Sequence, residues 1–333
     1  MNIDITLVWA GIILFAVFAY VVMDGFDLGI GILFPVFPPG RGRDQAINSI
    51  APVWDGNETW LVLGGGGLMA AFPLVYGVIM TALYPPIIAM VLALVFRGVA
   101  FEARWRDPGH RRWWDVAFTA GSLVAAFAQG IILGALVQGI EVGNREYAGG
   151  WLDWLTPFSL LTGACVVAGY ALLGAAWLVW KTDGETQAHA YRLAPRFAVA
   201  LLAGIAAVSA MTIGLEFDYH DRWMAYPQVL LTAQVPLLVA IIGYALLRSL
   251  RKRRELAPFL LSLCLFALTF AGLCISVFPD LVPGGLTIHE AAAPESSLRF
   301  MLIGAVVLIP IILAYTGWSY WVFRGKVGHE GYH

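Results

Sequence analysis

Residues 60–96 read WLVLGGGGLMAAFPLVYGVIMTALYPPIIAMVLALVF and contain no charged side chain. As one helix this stretch would extend about 55 Å, whereas the hydrocarbon core of a bilayer is about 30 Å thick. The chain must therefore fold back within it, and Pro73 and Gly77 supply the turn signal near its middle. We predict two antiparallel membrane helices, with Glu58 and Arg97 returning to the same side of the membrane.

Two features of this stretch concern helix packing. The four consecutive glycines at 64–67 allow another helix to approach closely. They do not resemble a phosphate-binding loop, because no Lys followed by Ser or Thr comes after them. Pro85 and Pro86 are predicted to kink the returning helix.

The whole chain has the composition of a membrane protein. Hydrophobic residues make up 60% and charged residues 13% of its 333 residues, and the mean hydropathy is +0.77. We predict an all-α polytopic membrane protein with one transmembrane domain over residues 1–333, comprising a four-helix bundle in 1–140, a second in 151–278 and a ninth helix at 297–323. The nine predicted transmembrane helices are 7–34, 52–73, 76–100, 115–138, 156–180, 196–216, 227–249, 257–278 and 298–322.

The distribution of basic residues orients these helices. Most of the 20 lysine and arginine residues fall on one side of the membrane if the N-terminus lies outside. The positive-inside rule then places the C-terminus in the cytoplasm. The formal net charge of −2 provides no basic face for nucleic acid.

Ionisable side chains inside the membrane are the candidate functional residues, because each costs about 2.5 to 3.5 kcal/mol at mid-span. The candidates share one predicted depth, at the cytoplasmic end of the first three helices: Asp24, Asp27, Asp55, Glu58, Arg97 and Glu102. Carboxylates beside one cation are typical of a proton entry path. The alternative is structural: Arg97 neutralises Asp24, Asp55 or Glu58 in a buried ion pair that holds the helices together.

Metal and haem ligands are not predicted in this chain. Its histidines all fall in loops or the C-terminal tail, and its three cysteines show no paired spacing: His110, His189, His220, His289, His329, His333, Cys165, Cys264 and Cys274. We therefore predict no catalytic residue, no cofactor-binding residue and no metal site in the chain itself.

Four segments carry a resemblance to a known family. They are MDGFDLGIG (23–31), NSIAPVWDGNETWLVLGGG (48–66), FRGVAFEAR (96–104) and LTIHEAAAPESSLRFML (286–302). Together they resemble subunit II of the cytochrome bd-type quinol oxidases, including the cyanide-insensitive branch. The resemblance implies a complex in which subunit I carries haem b, haem d and the quinol site, while subunit II is a similarly folded partner without haem.

The same resemblance implies how the complex works. Electrons from quinol reduce oxygen to water at the haem d site, and protons are drawn from the cytoplasm. Subunit II contributes part of the proton route through the six polar residues above, and Trp60 resembles the residue at the mouth of an oxygen path. The implied setting is the bacterial cytoplasmic (inner) membrane, with a small single-helix subunit, quinone and lipids as further partners.

Two other functions remain compatible with the sequence. A proton-coupled secondary transporter would use the same acids, but its signature is a pair of broken helices in two halves around a site at mid-depth. A purely structural assembly subunit would bury the lipid-facing surface of its partner and need none of the acids.

Overall fold

The computed structural model describes residues 4–215, 217 and 219–327. Most of these residues are helical, as the hydropathy of the chain requires. The α-helices are α1 (Ile5–Leu33), α2 (Arg41–Asn48), α3 (Trp54–Ala71), α4 (Pro73–Ala82), α5 (Tyr84–Arg106), α6 (Arg111–Val137), α7 (Pro157–Lys181), α8 (Gly184–Ile213), α9 (Tyr219–Met224), α10 (Val229–Thr232), α11 (Gln234–Arg251), α12 (Leu256–Val277), α13 (Ile288–Ala291) and α14 (Glu295–Val322).

Short elements connect the helices outside the spans. Two antiparallel hairpins join them, β1 (Val142–Gly143) with β2 (Glu146–Tyr147) and β3 (Asp280–Val282) with β4 (Leu286–Thr287). Single 3₁₀ turns follow α1 at Phe34–Val36 and precede α6 at Pro108–His110.

Eight of the described helices are long and apolar enough to cross a membrane. The bent pair of α3 and α4 adds a ninth if it is counted as one span. The all-α polytopic fold is therefore confirmed, while the outward N-terminus stays a prediction. The division into two four-helix bundles also stays a prediction, and α1 and α6 both pack against α7.

The reversal within residues 60–96 occurs through a short helix. Pro73 lacks a backbone N–H and disfavours the helical conformation in the residue before it, so α3 ends and Phe72 has φ −133° and ψ 62°. Helix α4 then runs at 118° to α3. The predicted turn at Gly77 is wrong, because Gly77 lies inside α4. Pro85 and Pro86 occupy the first turn of α5, where a proline needs no N–H partner, and so begin that helix without kinking its interior.

Other predicted helix boundaries also moved. The third predicted helix, 76–100, is α5 and begins only at Tyr84, because the residues before it form α4. Helix α8 begins at Gly184, well before residue 196, because the polar segment ahead of the apolar run is helical too. Helix α11 begins at Gln234, later than residue 227, since the preceding segment forms α9 and α10.

Helix α1 lies at the centre of the fold, against α3, α6 and α7. Glycine makes its crossing with α7 possible: a Cβ added to Gly29 would lie 1.8 Å from the Tyr170 carbonyl oxygen, and one added to Gly174 would lie 2.5 Å from the Gly29 carbonyl carbon. Within the glycine run, Gly64 and Gly67 face side chains of α1, whereas nothing lies within 4 Å of the other two glycines. This small-residue packing holds the two backbones close together.

A network of ion pairs lies at the end of the molecule that carries α2. The buried Arg104 of α5 donates to Asp44 of α2 at 2.8 Å and to Asp115 of α6 at 2.5 Å. Arg43 donates to Asp115 at 2.8 Å, and Arg111 also reaches Asp44. These pairs fix α2 across the ends of α5 and α6.

Candidate functional site

A buried ion pair joins α1 to α5. Arg97 Nη1 donates to Asp24 Oδ1 at 2.7 Å, and the two side chains are only 1% and 0% exposed. The Arg97 guanidinium lies 5.9 Å from the centre of the Trp54 ring on α3. Asp24 Oδ2, Arg97 Nε and Arg97 Nη2 have no hydrogen-bond partner among the described residues. Because buried polar atoms are almost always satisfied, these three atoms need water or a group from a partner subunit.

Asp27 lies one turn further along α1 and has neutral partners. Asn57 Nδ2 of α3 donates to Asp27 Oδ2 at 2.8 Å, and Asn57 Oδ1 accepts from the Tyr320 hydroxyl of α14 at 2.7 Å. Asp27 is fully buried, and its Oδ1 has no partner among the described residues. A short chain of hydrogen bonds therefore links α1, α3 and α14 and leaves one carboxylate oxygen available.

A second chain of hydrogen bonds begins at Tyr20, one turn before Asp24 on α1. The Tyr20 hydroxyl lies close to Asp24. Gln129 Nε2 of α6 donates to the Tyr20 hydroxyl at 2.7 Å, and the Tyr170 hydroxyl of α7 donates to Gln129 Oε1 at 2.7 Å. Polar groups thus continue from the acids toward the middle of the helices.

The six polar residues expected from the sequence differ in burial: Asp24, Asp27 and Arg97 are almost completely buried, and the other three are not. Glu58 is half-buried and interacts electrostatically with Asp24, Asp55 and Arg97, so it lies between the surface and the buried pair. Asp55 is exposed in the first turn of α3, where the helix dipole favours an acid. Glu102 is 60% exposed and pairs with Arg106 at 3.4 Å, so the described structure does not bring it to the buried acids.

Trp60 lies on α3, one turn beyond Asn57. It is buried against α1, where its ring meets Phe15 edge-on with centroids 5.6 Å apart and packs beside Ala16 and Ala19. Its indole Nε1 has no acceptor among the described residues. The surroundings of Trp60 are thus apolar.

Neutral polar side chains complete the site, and none of them is among the residues expected from the sequence. The structure adds Tyr20, Asn57, Gln129, Tyr170 and Tyr320. An amide inside an apolar helix is a usable signal, because it must find hydrogen-bond partners away from lipid. Gln129 in α6 and Asn57 in α3 carry that signal.

The cluster has a simple charge balance. One arginine neutralises one of the two buried carboxylates, and that carboxylate is Asp24. The other, Asp27, is neutral when it carries a proton and leaves one net negative charge when it does not. Because an uncompensated buried charge is costly, the cluster is suited to taking up and releasing one proton at Asp27.

The histidines of the described residues lie away from the middle of the spanning helices. His110, His220 and His289 are exposed outside the spanning helices, and His189 lies near the start of α8. The two remaining histidines, His329 and His333, lie outside the described residues. Across residues 4–215, 217 and 219–327, no group of three His, Cys, Asp or Glu side chains is arranged to hold a metal ion.

The chain is similar to known proteins in sequence and in fold. The chain is 28% identical over 321 residues to "Cytochrome bd ubiquinol oxidase subunit 2" of Bacillus subtilis (strain 168), covering 92% of both chains. It is 28% identical over 355 residues to "Cytochrome bd-I ubiquinol oxidase subunit 2" of Escherichia coli (strain K12), covering 93% of this chain and 92% of the relative. A solved structure, the bd oxidase from Geobacillus thermodenitrificans, superposes with a TM-score of 0.78 at 18% identity, over 97% of this chain and 98% of that chain, and so shares the fold.

The sequence profile of one family covers almost the whole chain. That profile, "Cytochrome bd terminal oxidase subunit II", matches residues 5–323 and so includes α1, α3 and α5, which carry the buried acids and Arg97. The chain therefore belongs to the family of subunit II of the cytochrome bd terminal oxidases.

Proposed function

We propose that this chain is the haem-free subunit of a quinol:oxygen oxidoreductase and that it supplies a route for protons from the cytoplasm. As a family member it is a multi-pass protein of the bacterial inner membrane and a subunit of a terminal oxidase complex. One observation supports the proton route above the others: of two neighbouring buried carboxylates only Asp24 is paired with an arginine, and each of the two keeps one oxygen atom without a hydrogen-bond partner among the described residues.

The route is proposed to begin at the surface end of α3. Asp55 is exposed there and Glu58 is half-buried, and Glu58 interacts with Asp55 on one side and with Asp24 and Arg97 on the other. Asp27 then receives the proton on its available oxygen while Asn57 holds the other oxygen. Water is expected to connect these groups, since lipid cannot satisfy the unpaired polar atoms.

The redox chemistry is assigned to the partner. Reduction of one oxygen molecule to two water molecules consumes four electrons and four protons, and the haem groups supply the electron transfer when bound. In the proposed complex, subunit I holds haem b, haem d and the quinol site. The described residues of this chain provide no histidine in the middle of a spanning helix, which favours that division of roles.

Trp60 is proposed to line an oxygen path, because a nonpolar gas favours the apolar contact between α1 and α3. A small single-helix subunit, quinone and lipids are proposed as further partners. Exposed apolar side chains along α14, such as Phe300 and Ile303, offer a surface for a helix or lipid chain.

The transporter alternative receives little support from the geometry. The described residues contain one sharply bent pair of spanning helices, and its break at Phe72 lies about 25 Å along α3 from Asp55. The acids therefore do not lie at a broken helix, as a transport site would require. Uptake of a solute into vesicles that contain this chain alone would favour the transporter.

The test is Asp27→Asn in the complete oxidase complex. Asparagine keeps the shape of the side chain and still accepts the Asn57 bond, but it cannot carry a proton. We expect the haem absorbance to stay at the wild-type level and quinol oxidase turnover to fall at least about tenfold, which corresponds to about 1.4 kcal/mol of activation free energy.

Two controls accompany this substitution. Asp27→Glu keeps a protonatable group and should retain more turnover than Asp27→Asn. Glu185→Gln removes an exposed acid at the same end of the molecule and should leave turnover unchanged. Full turnover in a haem-loaded Asp27→Asn complex would refute the proton role and leave the acids with a structural one.

A further inference from the structure

A cavity of about 320 Å³ opens at the end of α7, beside the last turn of α14. Its walls come from the end of α2 and the loop before α3, from α7, and from α14 with the segment that follows it. The lining residues that matter most are Asn48, Trp177, Lys181, Phe323 and Lys326.

Lys181 is the unusual residue of this cavity. Its side chain is 3% exposed, its Nζ donates to the Phe323 carbonyl oxygen, and the rings of Trp177 and Trp180 lie 5.4 and 5.3 Å from it. None of the ion pairs found among the described residues includes Lys181. A buried ammonium without a carboxylate is costly, and it has N–H donors beyond the one that Phe323 accepts. The cavity beside Lys181 is therefore suited to an anion.

Asn48 indicates a second property of the ligand. Its side chain is 4% exposed and lines the same cavity, and its Oδ1 has no donor among the described residues. Lys326 also lines the cavity, but Glu255 already compensates its charge at 2.8 Å. A ligand that satisfied both Lys181 and Asn48 would carry a negative group together with an N–H or O–H donor.

We propose that this cavity binds the phosphate of a membrane phospholipid whose headgroup carries such a donor. Phosphatidylethanolamine has both groups: its phosphate faces Lys181, and its ammonium donates to Asn48 Oδ1. The cavity lies at the depth of lipid headgroups, because tryptophans gather at this end of α7 and α14. Val322 and Phe323 are exposed beside it, which leaves room for the acyl chains to lie along α14.

Binding is measured by native mass spectrometry of the delipidated complete oxidase complex, titrated separately with phosphatidylethanolamine, phosphatidylcholine and inorganic phosphate. Phosphatidylcholine keeps the phosphate but has no N–H donor. We expect phosphatidylethanolamine to bind about tenfold or more tightly than phosphatidylcholine, the ratio expected for one hydrogen bond to a charged group. Inorganic phosphate should bind more weakly than either lipid.

Two variants test whether the lipid binds in this cavity. Lys181→Met should weaken binding of both lipids, whereas Asn48→Leu should abolish only the preference for phosphatidylethanolamine. Lys252→Met removes an exposed lysine at the same end of the molecule and should change neither affinity.

Three results would overturn the proposal. They are equal affinity of the wild-type complex for the two lipids, affinity for inorganic phosphate that matches the lipids, and unchanged lipid binding in Lys181→Met. The first two comparisons use only the wild-type complex, so they decide the matter even if a variant fails to assemble. Neither depends on oxidase turnover, and the proton route is therefore tested separately.

Discussion

Arg97→Met should destabilise the protein far more than the double substitution of Arg97→Met with Asp24→Leu. Arg97 and Asp24 are almost completely buried and lie 2.7 Å apart, so each is the charge that compensates the other. Removing Arg97 alone leaves a buried carboxylate without its cation. Replacing both side chains with apolar ones of similar size leaves no charge uncompensated.

The expected magnitudes follow from this difference. Breaking a buried pair by removing one partner costs about 3–5 kcal/mol, whereas replacing the whole pair with apolar residues is often neutral. An uncompensated aspartate at mid-span costs about 2.5–3.5 kcal/mol on insertion scales, which agrees with the first figure. We therefore expect a coupling free energy of about 3 kcal/mol between the two positions.

The assay is unfolding of the purified oxidase complex by SDS in mixed micelles, followed by tryptophan fluorescence. Wild type, the two single variants and the double variant form a double-mutant cycle. A coupling free energy below about 0.5 kcal/mol would show that the two side chains do not pair in the assembled protein. The double variant should assemble with haem and retain more turnover than Asp27→Asn, because Asp27 and Asn57 are unchanged.

Two further substitutions test the helix crossing and the oxygen path. Gly29→Ala should lower the free energy of unfolding by about 1–3 kcal/mol in the same SDS assay, because the added Cβ meets the backbone of α7. Gly11→Ala on the same helix is the control and should be neutral, since nothing lies within 4 Å of its Cβ. Equal stability of the two variants would refute the close crossing of α1 and α7. Trp60→Phe should raise the apparent KM for oxygen in respirometry and leave kcat unchanged. Trp113→Phe is the control at an exposed position and should change neither constant. An unchanged KM in Trp60→Phe would argue against the oxygen path.

The charged part of the site could be predicted because charge inside a membrane is costly and therefore conspicuous in a sequence. The sequence gives the depth of each residue along its helix, but not the rotation of one helix against another. Asp24, Asp55 and Glu58 were for that reason equal candidates to pair with Arg97, and the structure selects Asp24. Glu102 was grouped with Arg97 by depth, yet five residues along a helix turn the side chain by about 140°, which places the two on different faces.

The fold-back in residues 60–96 was predictable from length alone, but its form was not. A proline signals a break, and the break indeed lies at Pro73. The sequence between Pro73 and Pro85 has no charged residue that would mark it as a loop, so nothing local distinguishes a turn from a short helix across the bundle. Helix α4 depends on contacts with β2 and α13, which are distant in the sequence.

Asp24 and Asp27 are chemically identical and one turn apart, yet their partners differ, and so does the effect of adding a proton to each. Asp24 is paired with a guanidinium, and a proton on Asp24 would leave the buried positive charge of Arg97 without a compensating carboxylate. Asp27 faces an amide that Tyr320 orients, and a proton on Asp27 breaks no ion pair. The structural and the proton-carrying interpretations of this cluster therefore do not compete. The pair of Asp24 and Arg97 joins α1 to α5, and in the proposed route Asp27 is the buried acid that changes its protonation without breaking that pair.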